Sequence, residues 1–297
     1  LRQRLAVAYV QNNMIREAVA EYDTLGEMQM ENGLRDQAIQ TILLNTGVQG
    51  PRYVAVNSIT RKVYVADFAS NRVSVINSNL QGVTATIIGF STPYSLAINP
   101  NRNRIYVANL GNATVSVIDG YSNTIIATVN VGTQPSDLSV NPDTGKVYVA
   151  NIASNTISII DEATLSVITL PGFSSPSSVQ VNQVTNKIYV GNLGNGTVSV
   201  IDGNTLAITT IGVFTSPNEI TVNVKTNMIY VTNAIANTVS MIDGDTLFVT
   251  TISAGFSNPS FISANSNTNK IYVGNLSYRM TEDELHDAFS QFGEIEE

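Results

Sequence analysis

Two carboxylates, Asp137 and Glu219, are the side chains of this sequence whose type and spacing best suit chemistry. Each stands two residues after a proline, at equivalent places in a repeated segment and two repeats apart. Carboxylates bind hard cations such as Ca²⁺ when further oxygen ligands are near. One interpretation is therefore a cation held between Asp137 and Glu219, and the other is a pair of isolated surface acids.

Most other catalytic groups are missing from the sequence. It contains no cysteine, and its only histidine is His286, near the end of the chain. The repeated region therefore lacks the side chains of a Ser-His-acid triad, a histidine- or thiolate-based zinc site and haem ligation. We expect a protein that is not an enzyme and that has no cofactor.

A repeat of about 42 residues positions the two carboxylates. The repeat is marked by a tyrosine within a Lys/Arg-x-Tyr-Val pattern and by a proline, each recurring every 41 or 42 residues. The tyrosines are Tyr64, Tyr106, Tyr148, Tyr189, Tyr230 and Tyr272, and the prolines are Pro51, Pro93, Pro135, Pro176, Pro217 and Pro259. One unit, Pro135 to Ser175, alternates apolar and polar residues in four short segments separated by turns, which is typical of a four-stranded antiparallel β-propeller blade. We predict a mainly β propeller over residues 45–276, with five full repeats and a partial sixth.

The repeats resemble the YVTN-repeat β-propellers of prokaryotic surface-layer and extracytoplasmic proteins. The motif is Tyr-Val-Ala-Asn at 106–109 and 148–151, Tyr-Val-Gly-Asn at 189–192 and Tyr-Val-Thr-Asn at 230–233. The resemblance implies an extracytoplasmic or cell-surface location and a binding or scaffold role, although a few relatives bind nucleic acid or carry enzymatic sites. That family usually has seven blades. Here either a six-bladed ring closes with a thin last blade or an open arc leaves sheet edges exposed.

The chain ends differ from the repeats. Residues 1–44 have helical spacing, with helices expected near 2–11, 14–31 and 34–44, and Leu5, Ala6, Tyr9, Ala18 and Tyr22 resemble a tetratricopeptide repeat. Residues 277–297 predict one helix capped at Thr281.

The sixth repeat also resembles a different family at its end. With the residues that follow, Ile271–Leu276 is similar to the first strand and helix of an RNA recognition motif, in which Tyr272 would be a base-stacking position. Lys270–Leu276 is identical to Lys187–Leu193, so one interpretation is a composite or artificial chain.

The topology of a blade places two turns on one face, which makes that face the candidate binding site. The turn after the second strand carries Asn109, Asn151, Asn192 and Asn233, which we expect to cap the turns. Phe90, Phe173, Phe214 and Phe256 precede the prolines by three residues and either pack between blades or form an aromatic rim that binds a partner. The candidates at the channel mouth and on the loop face are Tyr53, Tyr94, Asp137, Glu219 and Phe261, together with those four phenylalanines.

The charge distribution limits the class of partner. The net charge is -8, and residues 48–276 carry as many acidic as basic side chains. Phosphate binding needs a basic surface, so nucleic acid is an unlikely partner by composition. The sequence predicts no transmembrane segment and no signal peptide. We expect a non-enzymatic scaffold that binds a protein or a cell-surface component; the alternatives are a propeller hydrolase or lyase with a cation in its central channel, and a nucleic-acid-binding protein.

Overall fold

The computed structural model describes residues 50–77, 83–253 and 255–273 of the 297-residue chain. These residues form strands and tight turns, with no helix and so no helical membrane span among them. The helices predicted near 2–11, 14–31 and 34–44 and within 277–297 lie outside the described residues. The domain boundaries predicted at 44/45 and 276/277 also lie outside them and stay predictions.

The described strands pair antiparallel in six sheets, five with four strands and one with two. Sheet I contains β1 (Pro51–Asn57), β2 (Lys62–Asp67), β3 (Arg72–Asn77) and β4 (Val83–Ile88). Sheet II contains β5 (Pro93–Asn99), β6 (Arg104–Asn109), β7 (Thr114–Asp119) and β8 (Thr124–Asn130). Sheet III contains β9 (Pro135–Asn141), β10 (Lys146–Asn151), β11 (Thr156–Asp161) and β12 (Val167–Pro171). Sheet IV contains β13 (Pro176–Asn182), β14 (Lys187–Asn192), β15 (Thr197–Asp202) and β16 (Ile208–Ile211). Sheet V contains β17 (Pro217–Asn223), β18 (Met228–Asn233), β19 (Thr238–Asp243) and β20 (Val249–Ile252), and sheet VI contains β21 (Ile262–Asn265) and β22 (Lys270–Val273).

Burial along the strands shows how the sheets are stacked. In the second and third strands of each full sheet nearly every residue is buried, whereas the fourth strand is largely exposed. A strand buried on both faces is rich in Val and Ile, because both faces pack against other elements. Each sheet is therefore covered on both sides near its inner edge and faces solvent at its outer edge.

The inter-sheet cores are built around the repeated tyrosines. Tyr64 is fully buried and lies in one apolar cluster with Ile105 and Ile118 of the next sheet. Equivalent clusters join sheets II and III, III and IV, IV and V, and V and VI. The first strands of all six sheets line one central cavity. This is the arrangement of a β-propeller, and we call the sheets blades I–VI.

One blade breaks the repeat with a compensating exchange of side chains. In blade II the Asn103 amide lies against Gly120, where an added Cβ would collide with it. Blade III has Gly145 and Glu162 at these two places, so the larger side chain moves to the other position. The Glu162 carboxylate is buried and accepts two hydrogen bonds from Asn99, at 3.0 and 2.9 Å. The Glu162 carboxylate lies close to Gly145, as the Asn103 amide lies close to Gly120 in blade II.

Candidate functional site

Two sets of turns form one face of the propeller, which we call the proline face. They are the turn after the second strand and the loop that precedes the first strand. Backbone hydrogen bonds join them: Leu110 N–H donates to Thr92 O (3.1 Å), and Gly111 N–H donates to Ser91 O (3.2 Å). The equivalent bond in blade III runs from Ile152 to Gln134. The strand order therefore places the candidate loops side by side.

The four turn asparagines are buried and act within their own blades. Asn109 Nδ2 donates to Thr114 Oγ1 (3.1 Å) and Ser116 Oγ (2.9 Å), both on the third strand. The same pair of bonds is made by Asn151, Asn192 and Asn233. These side chains fix the turn to the next strand and are not available to a partner.

The predicted aromatic rim is wrong. Phe90, Phe173, Phe214 and Phe256 are each only 6–7% exposed and belong to the inter-blade apolar clusters. The loop before the proline turns each ring into the gap between two blades, because that gap is the nearest apolar space. The packing alternative for these residues is the one found.

Asp137 is also buried, and it joins three blades. Its Oδ1 accepts a hydrogen bond from Ser95 Oγ of blade II (2.9 Å), and its Oδ2 accepts one from Val179 N–H of blade IV (2.9 Å). Burial raises the pKa of the Asp137 carboxyl to about 6, although hydrogen bonds from Val179, Ser95, Leu138 and Ser178 act in the opposite direction. Both oxygens are thus used by the protein itself.

Among the described residues, no further metal ligand joins Asp137 and Glu219 at the proposed cation site. Glu219 is half-buried, and its backbone N–H donates to Thr232 Oγ1 (3.1 Å). Within residues 50–77, 83–253 and 255–273, no group of three His, Cys, Asp or Glu side chains is close enough to hold a metal. Since both Asp137 oxygens accept hydrogen bonds, the structure does not assemble an Asp137–Glu219 cation site.

An exposed cluster on the proline face contains one predicted residue and two that were not predicted. The Arg52 guanidinium lies 4.4 Å from the centre of the Tyr94 ring and donates to the Tyr94 hydroxyl at 2.6 Å. Phe68 meets the same ring edge-on, with 6.1 Å between ring centres, and is 37% exposed. We call Arg52, Phe68 and Tyr94 the aromatic–arginine cluster. The sequence could have indicated Arg52, because this bulky residue stands where blades III and IV have a serine.

The two remaining aromatic candidates are half-buried. Tyr53 lines the central cavity and packs against the core between blades I and II. Phe261 stands directly before β21.

The first strands of neighbouring blades meet along lines that we call inner seams, and most seams carry hydrogen bonds from small polar side chains. At seam III/IV, Ser136 Oγ donates to Pro176 O (3.2 Å) and Ser139 Oγ accepts from Val181 N–H (3.2 Å). At seam IV/V Ser177 Oγ donates to Pro217 O (3.2 Å), and Ser178 Oγ accepts from Ile220 N–H (3.2 Å), as Asp137 does from Val179 at seam III/IV. Seam V/VI has both kinds of bond found at seam III/IV, from Asn218 Nδ2 to Ser260 O (3.0 Å) and from Ala264 N–H to Thr221 Oγ1 (3.1 Å).

Seam I/II differs from these seams. Arg52 and Tyr94 stand where the other seams have Ser136, Ser177 and Asn218, and Tyr53 and Ala55 stand where they have hydroxyl or carboxylate acceptors. At this seam the Arg52 side chain donates a hydrogen bond to the Tyr94 hydroxyl. The proline face is therefore chemically distinct at blades I and II.

Comparison with known proteins supports the fold and one terminal segment. The RNA recognition motif family matches residues 271–297, of which only 271–273, within β22, are described. Hydrazine synthase of Kuenenia stuttgartiensis superposes with a TM-score of 0.66 at 17% identity, covering 84% of this chain and 85% of that chain. A streptogramin B lyase superposes with a TM-score of 0.65 at 16% identity, covering 75% of each chain. A search of curated proteins found no match. At these identities the two similar structures show the propeller fold alone.

Proposed function

We propose that the protein is a non-enzymatic binding scaffold whose proline face contacts a protein or a cell-surface component. The observation that carries the proposal is the aromatic–arginine cluster, which is exposed at seam I/II where seams III/IV to V/VI use small polar side chains. Arg and Tyr are enriched among residues that dominate binding energy, because they offer a large contact area together with hydrogen bonds. The Arg52–Tyr94 contact holds both side chains in place before a partner arrives.

The resemblance of the repeats to YVTN propellers favours an extracytoplasmic or cell-surface setting for this contact. In that setting a rigid ring presents loops, and the partner is another envelope component. The buried turn asparagines and phenylalanines support such a role, because they fix the loops of the proline face from below.

Two other functions remain as alternatives, each with its own test. A hydrolase or lyase with a channel cation would show an activity that chelation abolishes and that Asp137→Asn or Glu219→Gln removes. Binding of nucleic acid, which the RNA recognition motif match at 271–297 favours, would show an affinity that falls steeply as salt rises.

Site-specific photo-crosslinking tests the proposed scaffold role. A photoreactive residue replaces Tyr94 in one protein and Val184 in another; Val184 is 71% exposed and lies in a turn on the opposite face. With a cell-envelope fraction, we expect a discrete cross-linked product from position 94 and none from position 184. Arg52→Ala should weaken the interaction. Products of equal yield from both positions, or none from position 94, would overturn the proposal.

A further inference from the structure

The central channel contains a cavity of about 370 Å³ that the scaffold role does not use. Residues of all six first strands line it, and no charged side chain is among the described lining residues. Tyr53, Ala55 and Ala97 contribute an apolar side, and Gln180, Gln183 and Thr221 contribute a polar side. The volume lies near the lower end of the range for small-molecule sites, roughly 300–1,000 Å³.

The backbone N–H groups at the inner edge of the first strands determine which ligand atoms the cavity wall can bind. The fifth residue after each proline directs its N–H away from the second strand, toward the preceding blade. At seam III/IV Ser139 Oγ accepts from Val181 N–H (3.2 Å), and at seam V/VI Thr221 Oγ1 accepts from Ala264 N–H (3.1 Å). At these two seams the edge of the strand is capped by a hydroxyl.

At seams I/II and II/III the cap is missing, and at seam IV/V Gln180 stands in the place of the hydroxyl, opposite Val222, without a hydrogen bond to it among the described residues. Ile98 and Val140 occupy the same place as Val181, and the side chains that face them are Ala55 and Ala97. A methyl group cannot accept a hydrogen bond, and no side-chain acceptor for either N–H occurs among the residues that the structure describes. Both residues are half-buried at the wall of the cavity, so water or a ligand in the channel can accept from these two N–H groups.

The polar side of the cavity adds further donors. The amides of Gln180 and Gln183 make no hydrogen bond to any described residue, and Gln180 stands where other blades have Ala, Ser or Thr. Ser139 and Thr221 accept hydrogen bonds from the backbone, which leaves their own hydroxyl protons for donation. The wall thus offers several donors and no charge.

We infer that the channel binds a small neutral ligand rich in oxygen acceptors, of the class of mono- and disaccharides. An ion is disfavoured, because taking a charge out of water into a site without an opposite charge is costly. A sugar supplies hydroxyl and ring oxygens to the backbone and amide donors, and its apolar face can lie on the side formed by Tyr53, Ala55 and Ala97. This inference concerns the channel and does not depend on a partner at the proline face.

Isothermal titration of the full chain tests the inference. The probes are glucose, N-acetylglucosamine and maltose, with malonate as an anionic comparison. We expect saturable binding of at least one sugar and none of malonate. Ala97→Ser, which places a hydroxyl against Val140 N–H as Ser139 does against Val181, should weaken binding about 5-fold. Gln180→Leu should weaken it about 10-fold by removing a donor.

The controls separate binding from folding. Ala163→Ser makes the same chemical change in an exposed turn and should leave the affinity unchanged. Thermal unfolding of each variant confirms that the fold is kept. The inference is overturned if no sugar binds, if malonate alone binds, or if both channel variants bind as the unchanged protein does. The cross-link from position 94 tests the proline face and not the channel. A failure of sugar binding therefore does not count against the scaffold role, and a failure of cross-linking does not count against the channel site.

Discussion

Seams III/IV to V/VI and seam I/II have the same strand arrangement, but different side chains join the first strands of neighbouring blades. In the former, hydroxyl, amide and carboxylate side chains bond to backbone groups of the next blade. In the latter, Arg52, Tyr53 and Ala55 occupy the equivalent places, and Arg52 bonds to a side chain instead. The difference shows that first strands with the same backbone can be joined by small polar side chains at one seam and by an arginine–tyrosine contact at another.

Both proposed sites include residues of blades I and II. The aromatic–arginine cluster lies on the proline face of blades I and II, and the uncapped N–H groups of Ile98 and Val140 face the channel from blades II and III. Function is thus expected where the seam pattern is broken.

Of the substitutions predicted here, loss of the Asp137 carboxylate should have the largest effect on stability. Asp137→Ala leaves Ser95 Oγ and Val179 N–H without their acceptor, so we expect the free energy of unfolding to fall by roughly 2–4 kcal/mol. Urea denaturation measures it. Asp143→Ala, at an exposed position of the same blade, should change stability by less than about 0.5 kcal/mol. Equal losses in the two variants would contradict the bridging role of Asp137.

The same residue predicts a dependence of stability on pH. Burial raises the pKa of Asp137 from 3.8 to about 6, so between these values the native protein keeps a proton that the unfolded chain has lost. Its contribution to the free energy of unfolding should fall as pH rises from about 4 to about 6 and stay level above. Asp137→Asn should remove this fall, measured as the difference in unfolding free energy between the two pH values. An unchanged slope in the variant would assign it to another group.

Exchanging caps between the two kinds of seam should give smaller effects of opposite sign. Ser178→Ala uncaps Ile220 N–H and should destabilise the protein by about 1–2 kcal/mol, whereas Ala97→Ser caps Val140 N–H and should stabilise it by about 0.5–1 kcal/mol. Chemical denaturation of the two variants measures both changes. If both variants changed stability in the same direction, the proposed difference between capped and uncapped seams would be contradicted.

The smallest effect on stability is expected at the aromatic–arginine cluster. Arg52→Ala removes an exposed cation–π contact, which contributes about 0.5–1 kcal/mol at most at such a site. Tyr94→Phe removes only the hydroxyl that Arg52 contacts and should cost less. Denaturation measures the stability of both, and the cross-linking yield measures binding. A large loss of stability would make the cluster structural and remove the main support for the scaffold role.

The sequence predicted the repeated parts of the fold well, because they obey local rules. The 41- to 42-residue spacing predicted the blades, and residues such as Asn109 were predicted to hold the turns, although Asn109 Nδ2 bonds to the hydroxyls of Thr114 and Ser116. Phe90 could not be placed, since its burial depends on how two blades approach each other. The role of Asp137 likewise depends on a backbone N–H 42 residues away, Val179, which no local pattern reveals.

Amide hydrogen exchange at four residues tests the central claim most directly. Val181 and Ala264, whose N–H groups are capped by Ser139 and Thr221, should exchange slowly. Ile98 and Val140, which face alanines, should exchange much faster in the protein without ligand, although they lie in strands of the same register. Equal protection at all four positions would contradict the account, because it would mean that blades II and III have no open inner edge.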